Sequence, residues 1–190
     1  MSVYTQPLEM WPERGAIQAL LLGAPECMGE GLLSSGKQSN SDTPSTLLFL
    51  DARMLPGIFP VLLAINRAVA AEEKGKLRTA NLSTEVLFNL SPTTNINESV
   101  EKYSVKPDDP HPILVVRIGT ALENQKFEQE VRSIIQEDLT LLDVEKDLGK
   151  DVDMVALCKY FKYDPKEVQD HKDLERVIMA TMALKGVSAK

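Results

Sequence analysis

The sequence has little of the side-chain chemistry on which metal sites and disulfide frameworks depend. It contains two cysteines, Cys27 and Cys158, and two histidines, His111 and His171, and none of them are spaced as paired metal ligands. We therefore predict no metal, no cofactor and no disulfide. Cys158 falls on an apolar helical pattern, so we expect a buried neutral thiol there, whereas the residues around Cys27 favour no particular state.

Long hydrophobic runs are also missing. No apolar stretch approaches the ~18 to 20 residues that span a bilayer. The opening residues, MSVYTQPLEMWPERG, contain Glu9 and Glu13 and no basic segment ahead of an apolar one, so they are not typical of a secretory signal. We expect a protein with no membrane partner that is made and kept inside the cell.

Recognisable catalytic motifs are absent as well. Gly75-Lys76 does not complete the phosphate-loop pattern, and it follows a predicted helix where that motif follows a strand. With only two histidines, one of them in a proline-flanked turn, nothing favours a Ser-His-Asp triad. Asp51 and Glu85 could form a carboxylate pair, but a favourable charge in the first turn of a helix is the simpler explanation of Glu85. We therefore predict that the protein has no catalytic residues and is not an enzyme.

The composition that remains is that of an ordinary globular protein. Hydrophobic residues make up 43% and charged residues 26% of the chain. The net charge of -7 is unevenly spread, because acidic residues are in excess from Glu123 to Glu175 while the stretch from Arg67 to Arg78 is locally basic. This distribution argues against a surface that coats nucleic acid, and it is compatible with a small local contact.

Apolar runs and amphipathic repeats predict an α+β (mixed α/β) fold. We expect a single domain over residues 1–190, with a four- to five-stranded sheet, helices packed on it and further helices at the C-terminus. Strands are predicted at Ala16–Leu22, Thr46–Asp51 and Ile113–Ile118, with Leu139–Val144 as a further candidate. Residues 34–45, SSGKQSNSDTPS, lack large apolar side chains, so we expect a flexible polar loop there.

Helices are predicted from apolar repeats and from the capping residues beside them. Pro56–Lys74 is the clearest, and Gly75 stands where a helix commonly ends. Two short helices follow in close succession, the first starting at Asn81 or Ser83 and the second at Asn95 in a capping-box pattern. Later helices are predicted at Phe127–Ile135, Asp151–Tyr163 and Asp164–Lys185, the last with a break between Asp170 and Asp173 as an alternative.

The segment from Lys74 to Thr84, KGKLRTANLST, carries the strongest indication of a binding surface. Its basic side chains run directly into hydroxyl and amide groups and into the free N–H groups of a helix start. Such a surface can hold phosphate and hydrogen-bond an unstacked base, which is how single-stranded RNA ends are recognised. Surface polarity and helix capping explain the same residues without a ligand, so the pattern alone leaves both interpretations open.

Several short motifs lie between Leu62 and Val105: Asn66-Arg67-Ala68, Gly75-Lys76-Leu77-Arg78-Thr79, Leu82-Ser83-Thr84-Glu85, Phe88-Asn89-Leu90-Ser91-Pro92 and Asn95-Ile96. With the helix that follows and the strand Ile113–Ile118, they make this stretch resemble the PRPK-binding protein family, the small kinase-associated subunit of the KEOPS (EKC) complex. The similarity extends more weakly to most of the chain, including the last helices.

The resemblance implies a mixed α/β domain that binds the small atypical kinase of that complex and, through it, the other KEOPS subunits. It also implies presence in the cytoplasm and nucleus and binding of the 3′ CCA end of tRNA, in support of threonylcarbamoyladenosine formation by another subunit. The tRNA-binding residues that it implies are Asn66, Arg67, Lys76, Arg78, Thr79, Ser83, Thr84, Glu85 and Asn89, and the kinase-contact residues are Val177, Ile178, Met182 and Leu184. A buried helix amide is the alternative for Asn89, and core packing is the alternative for the four apolar residues.

Two features depart from the family pattern. Only Cys27 to Leu33 can form the helix expected between the first two strands, and Arg67 stands where a lysine is expected, which keeps the charge but changes the hydrogen-bonding geometry. The alternative function is a protein-protein regulator of the kinase without RNA contact, which the acidic net charge mildly favours. An enzyme would need a reactive constellation that the sequence does not present.

Overall fold

A computed structural model describes residues 3–24, 45–106, 109–135 and 140–185. The strands are β1 (Tyr4–Pro7), β2 (Ala16–Leu22), β3 (Ser45–Asp51), β4 (Ile113–Gly119) and β5 (Leu141–Leu142). The helices are α1 (Ile58–Glu73), α2 (Leu82–Leu90), α3 (Ile96–Tyr103), α4 (Asn124–Ile135), α5 (Val144–Asp147), α6 (Met154–Phe161) and α7 (His171–Leu184). The α+β class predicted from the sequence is confirmed.

The described strands form an antiparallel sheet of five strands. Their order is β1-β2-β4-β3, and β5 pairs with β2 beyond the end of β1. In the register, Gly119 lies opposite both Ala16 and Ser45, so β4 is flanked by two strands along its whole length. Full burial of β2 and β4 explains why both sequences are almost continuously apolar. β1 was not predicted. It has only four residues and ends in a proline, which argues against a strand unless that strand lies at the edge of a sheet, as β1 does.

Contacts between residues divide the chain into two compact units. The first contains the sheet with α4 and α5. Phe127, Val131 and Ile135 share one face of α4 and pack in a core cluster with sheet residues such as Leu20 and Phe49. The amphipathic helix predicted around these residues is therefore confirmed.

The second unit contains α1, α2, α3, α6 and α7, and it includes the predicted binding segment. Helix α1 packs against both α2 and α7, and for this reason its apolar surface is wide, with Val61, Ala64 and Ile65 all fully buried. Gly75 follows α1 with a φ of 58°, the left-handed conformation that glycine adopts without strain. The predicted end of this helix is confirmed.

One C-terminal prediction was wrong in its boundaries, and another was confirmed in its alternative form. Leu139 lies outside the described residues. Within residues 140–144 of the candidate strand Leu139–Val144, only Leu141–Leu142 pairs with β2, because the carboxylate of Asp143 accepts N–H groups of the next turn and starts α5. The predicted helix Asp164–Lys185 is split, which is the alternative that the sequence allowed. Asp164 caps a short 3-10 turn, and Asp170 caps α7.

Some predictions lie outside the described residues. These are Cys27, the segment Cys27 to Leu33 and residues 34–44 of the polar loop, while Ser45 is the first residue of β3. The single domain over residues 1–190 stays a prediction. Cys158 is fully buried on α6, and burial raises the pKa of its thiol, so the predicted buried neutral thiol is confirmed. Within the described ranges, no helix has the length and apolarity needed to span a membrane.

Candidate functional site

Helix α2 starts at a side-chain cap within the predicted binding segment. The Oδ1 of Asn81 accepts hydrogen bonds from the Thr84 N–H (2.9 Å) and the Thr84 hydroxyl (3.0 Å), which makes Asn81 the N-cap rather than Ser83. The Thr79 hydroxyl lies 3.0 Å from the Asn81 carbonyl oxygen, and it shares its single proton between that oxygen and the carboxylate of Glu85. Much of the amide and hydroxyl chemistry of this segment is therefore used to hold the helix start.

The Asn81 cap gives a direct test of this local structure. We expect Asn81→Ala to lower the free energy of unfolding by about 1 kcal/mol, because the Thr84 N–H loses its acceptor. Thermal or urea denaturation followed by circular dichroism measures this loss. Asn97→Ala, at an exposed position of α3, is the matched control and should change stability by less than about 0.5 kcal/mol. Equal effects of the two substitutions would contradict the cap assignment.

Helix α3 starts only six residues after α2 ends, and it has a cap of its own. The Oδ1 of Asn95 accepts hydrogen bonds from the backbone N–H of Asn97 (3.1 Å) and of Glu98 (3.4 Å). The N–H of Asn95 donates to the Thr93 hydroxyl at 3.1 Å. Asn95 is therefore the predicted cap, but Thr93 takes the part that the capping-box pattern gives to Glu98.

The carboxylate of Glu85 fixes the residues that precede α2. Only 3% of Glu85 is exposed, and its Oε2 accepts hydrogen bonds from the Arg78 N–H (2.9 Å), the Thr79 N–H (3.0 Å) and the Thr79 hydroxyl (2.9 Å). A buried carboxylate with three donors holds its partners firmly, because hydrogen bonds to a charged group are the strong ones. Glu85 thus positions the backbone from which the Arg78 side chain extends.

Two basic side chains leave this fixed backbone towards solvent. Lys76 and Arg78 are both exposed, and neither forms an ion pair with a described residue. The guanidinium of Arg78 lies 5.8 Å from the centre of the Phe88 ring on α2, within the range of a cation–π contact. The site therefore presents uncompensated positive charge next to a capped helix start.

Two further cations, Lys185 and Arg67, meet at the C-terminal end of α7. The Nζ of Lys185 is 3.6 Å from the centre of the Phe88 ring and donates to the carbonyls of Phe88 and Ser91, the latter at 2.8 Å. The guanidinium of Arg67 donates through separate nitrogens to the carbonyls of Met182 and, at 2.9 Å, Lys185. A lysine would reach both carbonyls from one nitrogen, whereas the guanidinium uses two separate nitrogens, so the departure at Arg67 changes the geometry of this contact.

The charges of this group act on one another. Burial, followed by the charges of Arg67 and Arg78, lowers the pKa of Lys185 to about 8, while the carboxylate of Glu85 opposes the shift. Lys185 was missed in the sequence analysis. The signal available there was a basic residue just after the last turn of a helix, where such residues commonly contact free carbonyls. That signal does not say which helix supplies the carbonyls.

The remaining residues implied for RNA binding are less accessible. Ser83 and Asn89 are 2% and 6% exposed, and the Asn89 amide donates to the Ala64 carbonyl at 3.4 Å, as in its alternative interpretation. The Asn66 amide donates to the Leu62 carbonyl one turn earlier at 2.8 Å. The structure thus brings Arg67, Lys76, Arg78, Thr79, Thr84 and Glu85 to one region of the second unit and uses Ser83 and Asn89 in its interior. Their roles towards RNA stay predictions.

The residues implied for kinase contact divide by burial. Ile178 and Met182 are at most 2% exposed and belong to the core, which was the alternative for all four. Val177 is half-buried, and Leu184 is 62% exposed near the end of α7. Of the four, Leu184 is the side chain most available to a partner, and the contact itself stays a prediction.

The carboxylates considered for catalysis have separate partners. Glu85 binds the backbone at Arg78 and Thr79, whereas the Oδ2 of Asp51 lies 3.5 Å from the Nε2 of His111, which is also buried. Among the described residues, no cluster of His, Cys, Asp or Glu could hold a metal ion.

The described residues thus define a small α+β protein with a basic surface beside the capped start of α2. Residues 30–186 match the family of the kinase-binding protein CGI-121, and the chain belongs to that family. The EKC/KEOPS complex subunit TPRKB of Danio rerio is 30% identical over 142 residues, which cover 73% of this chain and 76% of the relative. The EKC/KEOPS complex subunits named cgi121 of Schizosaccharomyces pombe and Neurospora crassa are 29% and 26% identical, over 74% and 73% of this chain and 78% of each relative. The resemblance found between Leu62 and Val105 is confirmed.

Proposed function

We propose that this chain is a non-catalytic subunit of an EKC/KEOPS complex that supports N6-threonylcarbamoyladenosine formation in tRNA. It binds the small PRPK-type kinase of the complex and the 3′ CCA end of tRNA, and another subunit performs the transfer. Family membership and the names of the relatives support a place in this complex. On this proposal the chain meets the other subunits through the kinase and is present in the cytoplasm and nucleus.

The observation that carries the RNA part of the proposal is the pair of exposed cations, Lys76 and Arg78, on a backbone held by Glu85. Because these cations have no carboxylate partner within the described ranges, they can reach phosphate oxygens without first breaking an ion pair. The chain as a whole carries a charge of -7, so repulsion elsewhere would confine an RNA strand to this basic surface.

We expect the double charge reversal Lys76→Glu/Arg78→Glu to weaken tRNA binding by roughly tenfold or more, because two phosphate contacts become repulsive. A mobility-shift titration of tRNA with and without its CCA tail measures the loss. Over a salt series, the slope of log affinity against log salt should fall by about two. Removal of the tail should weaken binding to the wild type to a similar extent.

The matched control is Lys159→Glu/Lys166→Glu, which makes the same charge change at two exposed lysines near α6. It should leave tRNA binding within about twofold, and circular dichroism checks the fold of both variants. If the two double variants lose the same amount of tRNA affinity, net charge alone governs binding.

A regulator of the kinase without RNA contact is the second candidate, and the acidic net charge favours it. It predicts that the chain binds the kinase and that tRNA does not shift even when the kinase is present. The proposed RNA surface would also be wrong if tRNA binds equally well with and without its CCA tail and if the substitutions at Lys76 and Arg78 do not weaken that binding.

A further inference from the structure

We propose that Lys185, together with Arg67 and Arg78, forms a subsite for one phosphate group of the bound RNA. This inference rests on the proposed function, and it adds a residue at the C-terminal end of α7 to the RNA-binding surface.

The first argument is geometric. Lys185 and Arg78 approach the same aromatic ring, with the Lys185 Nζ 3.6 Å and the Arg78 guanidinium carbon 5.8 Å from the centre of the Phe88 ring. Phe88 is 4% exposed, so its ring acts as a fixed platform and is not free to stack on a base. Both cations therefore lie against one ring, and the charge of Arg78 acts on Lys185, so a phosphate group bound at Lys185 is also attracted by Arg78.

The second argument concerns hydrogen-bond donors that are still available. The Lys185 ammonium has three donors, and the carbonyls of Phe88 and Ser91 accept two of them. The Arg78 guanidinium has five donors, and it donates to no described residue. A phosphate oxygen can therefore be bound without loss of the contacts that Lys185 makes at the end of α2.

The third argument is charge balance. Arg67, Arg78 and Lys185 are three cations, and the carboxylate of Glu85 is the acidic group that counters them at Lys185. The Oε2 of Glu85 already accepts three hydrogen bonds from the residues before α2. The group keeps an excess of positive charge in a partly buried place, and a phosphate anion would relieve the repulsion.

Titration of Lys185 makes the subsite measurable. Since the pKa of Lys185 is about 8 in the absence of ligand, a phosphate bound beside it should raise that pKa and keep the amine charged. Affinity for RNA should therefore be nearly constant below about pH 7 and fall as the pH rises through 8. The free energy of unfolding should rise over the same pH range. Between pH 8 and 10.5 the unfolded chain binds more protons at Lys185 than the folded chain does, so a rise in pH favours the folded state. Loss of binding in this range is then not loss of fold.

The test uses the full chain and a single-stranded RNA oligonucleotide that ends in CCA and carries a fluorophore at its 5′ end. Fluorescence anisotropy gives the Kd at pH 7, 8 and 9 and fixed salt for the wild type, Lys185→Met and Lys185→Arg. For the wild type we expect a Kd several-fold higher at pH 9 than at pH 7, because Lys185 with a pKa of about 8 is then about 90% neutral.

The variants separate a phosphate contact from a purely structural role. Lys185→Met should bind several-fold more weakly at pH 7, and both variants should lose the wild-type pH dependence above pH 8, since arginine stays charged and methionine never is. Lys185→Arg should bind almost as well as the wild type at pH 7, and it keeps the test valid if Lys185→Met fails to fold. The α-amino group also titrates near pH 8, but it is present in every variant.

A Lys185→Met variant that binds RNA like the wild type, with the same pH profile, would overturn the subsite and leave the proposed function intact. The same holds if Lys185→Arg keeps the wild-type loss of affinity above pH 8. If the wild type binds no RNA at any pH, both the subsite and the RNA part of the proposed function fail.

Discussion

Replacing Glu85 by alanine should lower the free energy of unfolding by about 3 kcal/mol and abolish most of the RNA binding that we propose. The substitution removes one buried oxygen that accepts from the Arg78 N–H, the Thr79 N–H and the Thr79 hydroxyl. Hydrogen bonds to charged groups contribute about 1.5–3 kcal/mol each, and a buried donor left without an acceptor costs about 1–3 kcal/mol. Part of this loss is recovered because the freed segment can reach water.

The measurement is urea denaturation of Glu85→Ala beside Glu85→Gln and Glu101→Ala. Glutamine retains a carbonyl oxygen that can accept hydrogen bonds, so Glu85→Gln should lower the free energy of unfolding less than Glu85→Ala does. Glu101 is exposed on α3, and its replacement should change stability by less than about 0.5 kcal/mol. A loss below 0.5 kcal/mol for Glu85→Ala would show that the backbone of Arg78 and Thr79 does not depend on this carboxylate.

The second large effect is expected in the sheet unit. Arg117 on β4 is completely buried, and its Nε lies 3.6 Å from the Oε2 of Glu130 on α4. Burial lowers the pKa of Arg117, and the charge of Glu130 opposes that shift. Removing one partner of a buried pair leaves a charge without compensation, which typically costs 3–5 kcal/mol. Glu130→Ala should therefore destabilise the protein by about 3 kcal/mol, a fall in Tm of roughly 6–12 °C for a chain of this size.

A double variant separates this charge effect from simple loss of packing. Arg117→Met/Glu130→Met removes both charges, and apolar replacement of buried pairs is often neutral or stabilising, so it should recover most of the loss. Glu128→Ala is the control on the same helix, because Glu128 pairs with Arg132 at 2.9 Å in a partly exposed ion pair that contributes about 0.3–0.5 kcal/mol. Equal Tm changes for Glu128→Ala and Glu130→Ala would contradict the argument from burial.

The candidate site was predictable where its structure is local. Asn81 and Asn95 cap helices through bonds that span two or three residues, and capping residues are recognisable from the sequence because their partners are fixed by the helix itself. The exposed cations Lys76 and Arg78 were also indicated by their place beside a helix start. Ser83, by contrast, lies on the buried face of α2, and hydroxyl chemistry alone does not reveal the face on which a residue lies.

The amino-acid sequence by itself determined the fold class, the main strands and helices, the candidates for the helix caps and the family, because each of these depends on patterns within one segment. Tertiary structure decided the rest. From the sequence, Glu85 was explained as a favourable charge in the first turn of a helix. The structure shows that its carboxylate also holds the backbone of Arg78 and Thr79. Tertiary structure also brought Lys185 to the Ser91 carbonyl across 94 residues and Arg67 to the Lys185 carbonyl across 118. Such contacts form only when separate helices pack, and packing depends on burial summed over the whole core rather than on any local pattern.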